Sequence, residues 1–457
     1  MRRIVRLVLG LTVLGLLGAV PAHAAPTIPK QLVERFQKNP YAPVPVIVQG
    51  THGSSTRAVS DAVARSSSRA LAVRGFRSVP AVAVELRAKD VQRLLRQPNV
   101  LSITEDAPMT SAESPGSPAY TNTQRWPLAS QLSALWSTRD GARLELPAIA
   151  IVDTGIDASL DHFGGRVVAE VTLTSLPGNS AGDGSGHGTF VAALAAGSAP
   201  RYAGAAPTAP IVSLDVADDN GMSMTSDVIA AVDWILAHKD THRIRVANFS
   251  LHSSQPSTFL FDPLSKAVER LWLAGVVVVA SAGNYATDGQ PSGVPFAPAN
   301  HPLVLTVGAA DIGASATTSD DTAAPWSAHG YTLDGFAKPE LAAPGRYLVA
   351  PVSRNAFLAT ERPWSVVEPG YMRLSGTSFA APLVAGAAAQ LLALRPEWTP
   401  DQVKGALMVS AARTAASGVA LGVGELDARA AAAVTDPPNP NLALAPFVAG
   451  GVLDGER

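Results

Sequence analysis

Residues 149–157 read Ile149-Ala150-Ile151-Val152-Asp153-Thr154-Gly155-Ile156-Asp157. Four apolar residues in a row, without alternation, describe a strand buried on both faces, as in parallel sheets covered by helices. The run ends in Asp153 and a Gly-containing turn, and a carboxylate at the carboxyl end of such a strand lies where open α/β sheets place their sites. By itself Asp153 reads equally as a cap or turn residue. A second run, Val276-Val277-Val278-Val279-Ala280-Ser281-Ala282-Gly283-Asn284, leads a buried strand into a Gly-Asn turn. Asn284 is there either to tolerate an unusual backbone angle or to aim its amide N–H at a developing oxyanion.

Two further stretches carry chemistry. In Asp183-Gly184-Ser185-Gly186-His187-Gly188-Thr189-Phe190-Val191-Ala192 a histidine stands between glycines that let other backbone come close, and an apolar, helix-like segment follows. His162, His238, His252, His301 and His329 read as surface or hydrogen-bonded structural residues. His187 differs because the local sequence gives up side chains on both sides of it. In Leu374-Ser375-Gly376-Thr377-Ser378-Phe379-Ala380-Ala381-Pro382 small residues surround Ser378, and Pro382 suits the first turn of a helix. A serine at a buried helix N-terminus has unpaired backbone donors and the positive dipole end beside it, both suited to an oxyanion. The plainer reading is an N-cap. Ser378 to Leu394 is apolar but carries Pro382, Gly386 and Gln390, which predicts a buried core helix rather than a membrane span.

Asp153, His187, Asn284 and Ser378, in their motifs and in this order, resemble the subtilisin-like serine proteases, which order their triad Asp, His, Ser. Gly204-Ala205-Ala206-Pro207, the Asp219-Asn220-Gly221 turn and Lys338-Pro339-Glu340-Leu341-Ala342-Ala343-Pro344-Gly345 belong to the same resemblance, which covers most of residues 125 to 434. It implies an α/β fold with a largely parallel sheet flanked by helices, and a serine endopeptidase acting on protein or peptide substrates as a monomer. It assigns Ser378 as nucleophile, His187 as base, Asp153 as its orienting carboxylate and Asn284 as oxyanion donor. Ser250, Leu251, His252, Ala280, Ser281, Ala282 and Gly283 would line the pocket for the residue before the scissile bond. Members commonly have Gly where this chain has His252, which either narrows that pocket or points to solvent, and Phe190 stands where many have a second histidine. No cofactor or metal is implied except a possible calcium, for which Asp215, Asp218 and Asp219 are candidates; a solvated turn is the plainer reading.

Arg2, Arg3 and Arg6, the uncharged Leu7 to Val20 and Ala22-His23-Ala24 form the three parts of a secretory signal peptide over residues 1–24. Leu7 to Val20 is short of the roughly 20 residues of a spanning helix, and the residues flanking Arg2-Arg3 do not complete a twin-arginine signal. A secreted product, extracellular or periplasmic and free of the membrane once the signal is removed, follows. Within 25–110, strands are predicted near 44–48, 79–86 and 100–104 with a helix over 88–95, a small α+β unit resembling the family's ferredoxin-like inhibitory propeptide, which also aids folding. Ala107 to Pro118 reads as an exposed linker, 111–436 as the catalytic domain and 437–457 as a tail packed on the surface.

The 457 residues are 47% hydrophobic and 16% charged, which argues against disorder and against nucleic-acid binding. With no Cys, disulfide scaffolds, thiol nucleophiles and Cys-held metals are excluded. The net charge of −2 conceals +3 on residues 1–24, +6 on 25–110 and −11 on 111–457. Opposite charges on the two units predict docking with an electrostatic component that salt weakens.

Other reaction classes fit less well. Gly178-Asn179-Ser180-Ala181-Gly182 matches an esterase elbow string, but Pro177 before it and Asp183-Gly184-Ser185-Gly186 after it leave no strand-to-helix context. No Lys has Ser three residues before it, which excludes the penicillin-binding motif. His238-Lys239-Asp240-Thr241-His242 lacks the Glu of a zincin helix. The alternative from another class is a catalytically weak pseudoprotease that uses this fold as a peptide-binding module.

Overall fold

The computed structural model describes residues 26–444 and Val448, apart from 68–71, 112–123, 137–143, 200, 314–316, 354 and 415–418. The predicted signal peptide, most of the predicted linker and the end of the tail lie outside these residues. The described residues gather around one extended hydrophobic core and a smaller one at the N-terminal end.

The smaller core belongs to an α+β unit. It comprises α1 (Lys30–Lys38), β1 (Val44–Gly50), α2 (Thr56–Ser66), β2 (Ala72–Gly75), β3 (Ala81–Leu86), α3 (Ala88–Leu94) and β4 (Val100–Glu105). The strands form an antiparallel sheet in the order β2-β3-β1-β4, and Val46, Val48, Val82 and Val84 meet Val59, Val63, Val91 and Leu94 in its core. Three of the strands and α3 fall where the sequence places them; α1, α2 and β2 were not foreseen. The predicted linker is a strand at its start: β5 (Pro108–Ser111) pairs on both sides with parts of the larger unit, and Ala107 is buried.

The larger unit holds α4 (Trp126–Ala129), β6 (Ala148–Asp153), β7 (Val167–Thr172), α5 (His187–Ala196), β8 (Ile211–Asp215), β9 (Ser223–Met224), α6 (Thr225–His238), β10 (Ile244–Phe249), β11 (Leu251–Ser253), α7 (Pro263–Leu273), β12 (Val277–Ser281), β13 (Leu305–Asp311) and β14 (Thr322–Ala323). A hairpin of β15 (Gly330–Tyr331) and β16 (Ala337–Lys338) follows, then β17 (Leu341–Pro344), β18 (Leu348–Pro351), α8 (Phe357–Glu361), α9 (Thr377–Leu394), α10 (Pro400–Val409) and α11 (Ala428–Ala433). Its main sheet has eight strands, seven in the order β14-β13-β12-β10-β6-β8-β7 with β17 also on β13. All its pairs are parallel except β13–β14. β6, β8 and β12 are buried along their whole length, as runs without alternation require, whereas β7 at the edge alternates. α9 is apolar and long enough for a membrane span, but 89% of its apolar window is buried in the protein. The loop at 178–182 does not lead into a helix at Ser180, in line with its sequence context. The described part of the tail packs on α10, with Asn439 and Asn441 donating to Asp401.

One buried acidic pair ties the end of the fold to the sheet edge. Glu425 exchanges backbone hydrogen bonds with Ala412, and its carboxyl meets Asp321, just before β14; both side chains are buried. Burial and the Asp321 carboxylate push Glu425 up to about 9, while Asp320 and Asp311 add negative field at Asp321. Folding therefore favours the protonated Glu425. Its contribution is complete below the ordinary value of 4.5 and is lost as pH rises towards about 9. In thermal melts Glu425→Gln, which keeps an N–H donor at every pH, should gain on the parent steadily between pH 5 and pH 9. Parallel curves for the two proteins would show that the pair does not hold a proton.

Candidate active site

Asp153 ends β6, opposite Asp215 of β8. His187 is the first residue of α5, and its Nδ1 lies 2.6 Å from Asp153 Oδ1. Both side chains are at least 98% buried, so the hydrogen bond is shielded from competing water. Glycine makes the approach possible: a Cβ on Gly188 would sit 2.1 Å from Gly155 O, so the turn after β6 and the first turn of α5 touch backbone to backbone. Thr154 N–H also donates to Asp153 Oδ1, at 2.9 Å.

The group that orients this helix end is Asp183. Its Oδ1 accepts from Gly186 N–H (2.7 Å) and Thr154 Oγ1 (2.8 Å), and its Oδ2 from Thr189 N–H (2.7 Å). Thr154 Oγ1 in turn accepts from Gly188 N–H at 2.9 Å. Burial pushes the Asp183 carboxyl up to about 6 despite these donors. Asp183 has no assigned role among the sequence candidates. The available signal was an acidic residue just ahead of a helix start, a capping arrangement.

Ser378 is the second residue of α9 and fully buried. α5 and α9 pack with their N-terminal ends together: the Phe379 ring, next in chain to Ser378, lies 5.4 Å from the His187 ring and 4.6 Å from that of Phe190. Pro382 sits inside α9, not in its first turn as the sequence suggested. It has no N–H for the carbonyl four residues back, which is that of Ser378. Ser250 Oγ donates to that carbonyl at 2.7 Å instead, and Ser378 Oγ donates to Ser250 O at 3.1 Å. Asn248 Nδ2 donates to Ser250 Oγ at 2.9 Å.

Asn284 is fixed by its oxygen. Its Oδ1 accepts from Thr377 N–H (2.9 Å) and Thr377 Oγ1 (3.0 Å), and that hydroxyl accepts from Gly283 N–H (3.0 Å). Two donors on one atom identify it as the carbonyl oxygen and leave Nδ2 as the outward N–H₂. Nδ2 is buried and has no hydrogen-bond partner. An unpaired buried amide donor costs free energy, about 1–3 kcal/mol, unless a ligand oxygen arrives. The arrangement thus combines an oriented imidazole, a hydroxyl at a helix N-terminus and an open donor beside it, the parts of a hydrolytic acyl-transfer site.

Residues 146–429 match the family model for the subtilase peptidases, Peptidase S8. The chain belongs to the subtilase family. It is 31% identical to subtilisin E of Bacillus subtilis (strain 168) over 334 residues, 72% of this chain and 74% of that protein. It is 34% identical over 265 residues to the serine protease AprX of the same organism, 56% of this chain and 59% of that protein. The fold is that of fervidolysin from Fervidobacterium pennivorans, a keratinolytic enzyme related to subtilisin: TM-score 0.66 at 22% identity, over 87% of this chain and 62% of that one. The chain thus spans about three fifths of the length of AprX and of fervidolysin.

The other predicted site residues of this subtilase divide into two groups. Ala280 and Ser281 lie in β12 within the sheet, and Ser250 turns its hydroxyl inward to Ser378. Leu251 and His252 lie in β11 against β5, Gly283 packs under the Tyr285 ring, and Ala282 offers its carbonyl to Tyr285 Oη at 3.2 Å. His252 does not point to solvent. Its ring is half-buried, stacked 5.3 Å from Phe296 and edge-on 5.6 Å from Tyr285. Tyr285 and Phe296 were not among the sequence candidates. β5 lies between β11 and β9, antiparallel to both, with Thr110 opposite His252 and Ser111 opposite Leu251. Of the calcium candidates, Asp215 accepts from Asn179 Nδ2, Asp218 from Asn220 and Met222 N–H, and Asp219 from Ser180. Asp215 and Asp219 thus tie this turn to the 178–182 loop while Asp218 caps its own turn, and among the described residues no group of three or more His, Asp or Glu is placed to hold a metal.

Proposed function

We propose that this subtilase is a secreted serine endopeptidase that cleaves proteins through an acyl-enzyme and is made as a precursor whose N-terminal unit is its own inhibitor and folding aid. The observation that carries the reading is the buried Asp153–His187 pair, at 2.6 Å, beside the helix end that bears Ser378. With Nδ1–H of His187 held by Asp153, Nε2 is the base. It takes the Ser378 proton as Oγ attacks the scissile carbonyl and gives it to the leaving amine; Asp153 stabilises the imidazolium between these steps. Water then hydrolyses the ester by the same route. The oxyanion accepts from Asn284 Nδ2 and Ser378 N–H at the positive end of α9. Asn284→Ala should lower kcat by about 10²–10³ with little change in KM. An unchanged kcat would remove Asn284 from the oxyanion site.

Inhibition by the N-terminal unit is supported by β5, which occupies the strand position between β11 and β9 that a substrate would take. β5 ends at Ser111, opposite Leu251, the neighbour of Ser250, whose carbonyl meets the Ser378 hydroxyl. Ala112 itself lies outside the described residues. The boundary read from the sequence at 110/111 falls inside β5, and the end of β5 at Ser111 supports a cut just beyond it, at the Ala112–Glu113 bond. N-terminal sequencing of the secreted protein should give Glu113. A secreted protein that begins at Ala25 would overturn self-processing.

The unit is also held by Arg74, paired with Asp227 of α6 at 2.9 Å, by Asp233, which accepts from Arg77 and Ser78 N–H, and by Asp106, which accepts from Ser226 N–H. Among the described residues Arg74–Asp227, half of it buried, is the ion pair between the units, which makes their charge asymmetry a modest force. Inhibition by the isolated unit should weaken between 0.1 M and 1 M salt, but by less than about tenfold. Salt-independent inhibition would refute the electrostatic component.

A further inference from the structure

Three aromatic side chains of this chain gather beside β11, the strand that pairs with β5. In an antiparallel ladder directly opposed residues project to the same face, and successive residues alternate. A peptide in the β5 register presents to Ser250 the residue two beyond the one opposite His252. That residue therefore projects to the face on which the His252 ring lies. On this face His252, Tyr285 and Phe296 form a closed cluster: His252 stacks on Phe296 at 5.3 Å, and Tyr285 meets the edges or faces of both at 5.6 and 5.0 Å. Tyr285 folds back over the turn before Asn284; a Cβ on Gly283 would sit 2.1 Å from its ring, and its Oη donates to Ala282 O. Phe296 is anchored by its backbone bridge to Pro256, and Ala297 O accepts from Ser253 N–H of β11.

Resting on the reading of Ser378 as nucleophile, we propose that the His252–Tyr285–Phe296 cluster fills this subsite and restricts the residue before the scissile bond to small side chains, Ala, Ser or Gly. The cluster contains no carboxylate or ammonium, so it offers nothing to pair with Lys, Arg, Asp or Glu there. Burial lowers the pKa of His252 and raises that of Tyr285, which keeps both rings uncharged at neutral pH.

The test uses the full-length precursor, matured and purified, with peptide substrates that differ only at this residue: Ala, Ser, Leu, Phe and Lys. Each methylene that a pocket must accommodate or reject is worth on the order of 10–200-fold in kcat/KM. The parent should prefer Ala and Ser over Phe and Leu by at least about tenfold. Phe296→Ala, and separately His252→Gly, should raise the Phe-to-Ala ratio by a similar factor. Labelling of Ser378 by a fluorophosphonate, run on every variant, reports an intact site. A parent that takes Phe or Leu as readily as Ala overturns the proposal. So do labelled variants whose Phe-to-Ala ratio equals that of the parent, and these leave the protease reading standing. A parent that does not label defeats both.

Discussion

Ser378→Ala should produce a full-length precursor that stays uncut and has lost on the order of 10⁶ in turnover. The expectation follows from the way the site divides its work. His187 and Asp153 have no purpose in acyl transfer without a nucleophile to deprotonate, so removal of the hydroxyl removes the whole relay at once. What remains is Asn284 and the N-terminus of α9, which polarise a carbonyl for attack by water and leave a residual acceleration of roughly 10³–10⁴ over the uncatalysed reaction. The substitution should not disturb folding. Ser378 Oγ donates to Ser250 O at 3.1 Å, whereas the Ser378 carbonyl keeps its bond from Ser250 Oγ. The precursor should therefore melt as one cooperative unit with β5 in place. Gel mobility before and after incubation, in cells lacking other secreted proteases, is the readout. A Ser378→Ala precursor that still trims itself would place the nucleophile elsewhere.

The second large effect is on stability. Glu340 Oε1 accepts from Lys338 Nζ (2.7 Å) and Lys404 Nζ (2.9 Å), and its Oε2 from Thr306 N–H (2.8 Å). Lys338 also donates to His301 O and Val304 O, and Lys404 to Pro302 O and Leu303 O. Two buried ammonium groups thus share one carboxylate and pin the backbone of 301–304 under β13. Burial alone would raise the Glu340 carboxyl, but the two ammonium groups outweigh it and hold it below its ordinary value. Burial, with Lys404 nearby, brings Lys338 down to about 8. Glu340→Gln keeps the shape and removes the carboxylate that pairs with both lysines. Breaking such a cluster from one side costs about 3–5 kcal/mol, on the order of 10 °C in Tm. The pH dependence carries the sign. A lysine with a folded-state pKa below its unfolded one gains stability as pH rises from the folded towards the unfolded value, here from about 8 to 10.5. Without Glu340 a lysine loses its proton more readily, so the deficit should be largest near pH 7 and shrink by pH 10. Melts are best recorded in the Ser378→Ala background, where autolysis does not intrude. A deficit that is small, or constant with pH, would show that the lysines do not depend on Glu340.

The proposed catalytic residues were legible because such chemistry leaves marks within a few positions: a run of small residues around Ser378, glycines around His187, an apolar strand that ends at Asp153. Their partners were not, because they come from distant parts of the chain. Lys404 reaches Glu340 from α10, and Phe296 reaches His252 from a loop, so no local pattern couples them. Asp183 and α2 are different cases. Both had a local signal, a carboxylate before a helix start and the spacing Val59, Ala62, Val63, Ser66 after Ser55, which caps the helix through Ala58 N–H. Pro382 was misplaced because a proline permitted in a first turn is equally permitted deeper in a helix when a side chain, here Ser250 Oγ, satisfies the carbonyl it leaves. β5 was read as linker because Pro, Ser and Gly dominate the residues after it; its strand form depends on β9 and β11, which offer unpaired edges on either side.

The central claim is that Ser378 is an activated nucleophile, and covalent capture tests it most directly. The matured protein, treated with a fluorophosphonate at neutral pH and digested, should carry one adduct, on Ser378, with labelling abolished by His187→Ala and by Ser378→Ala. Absence of label, or label on a different serine, would contradict the account and turn this fold into a peptide-binding module.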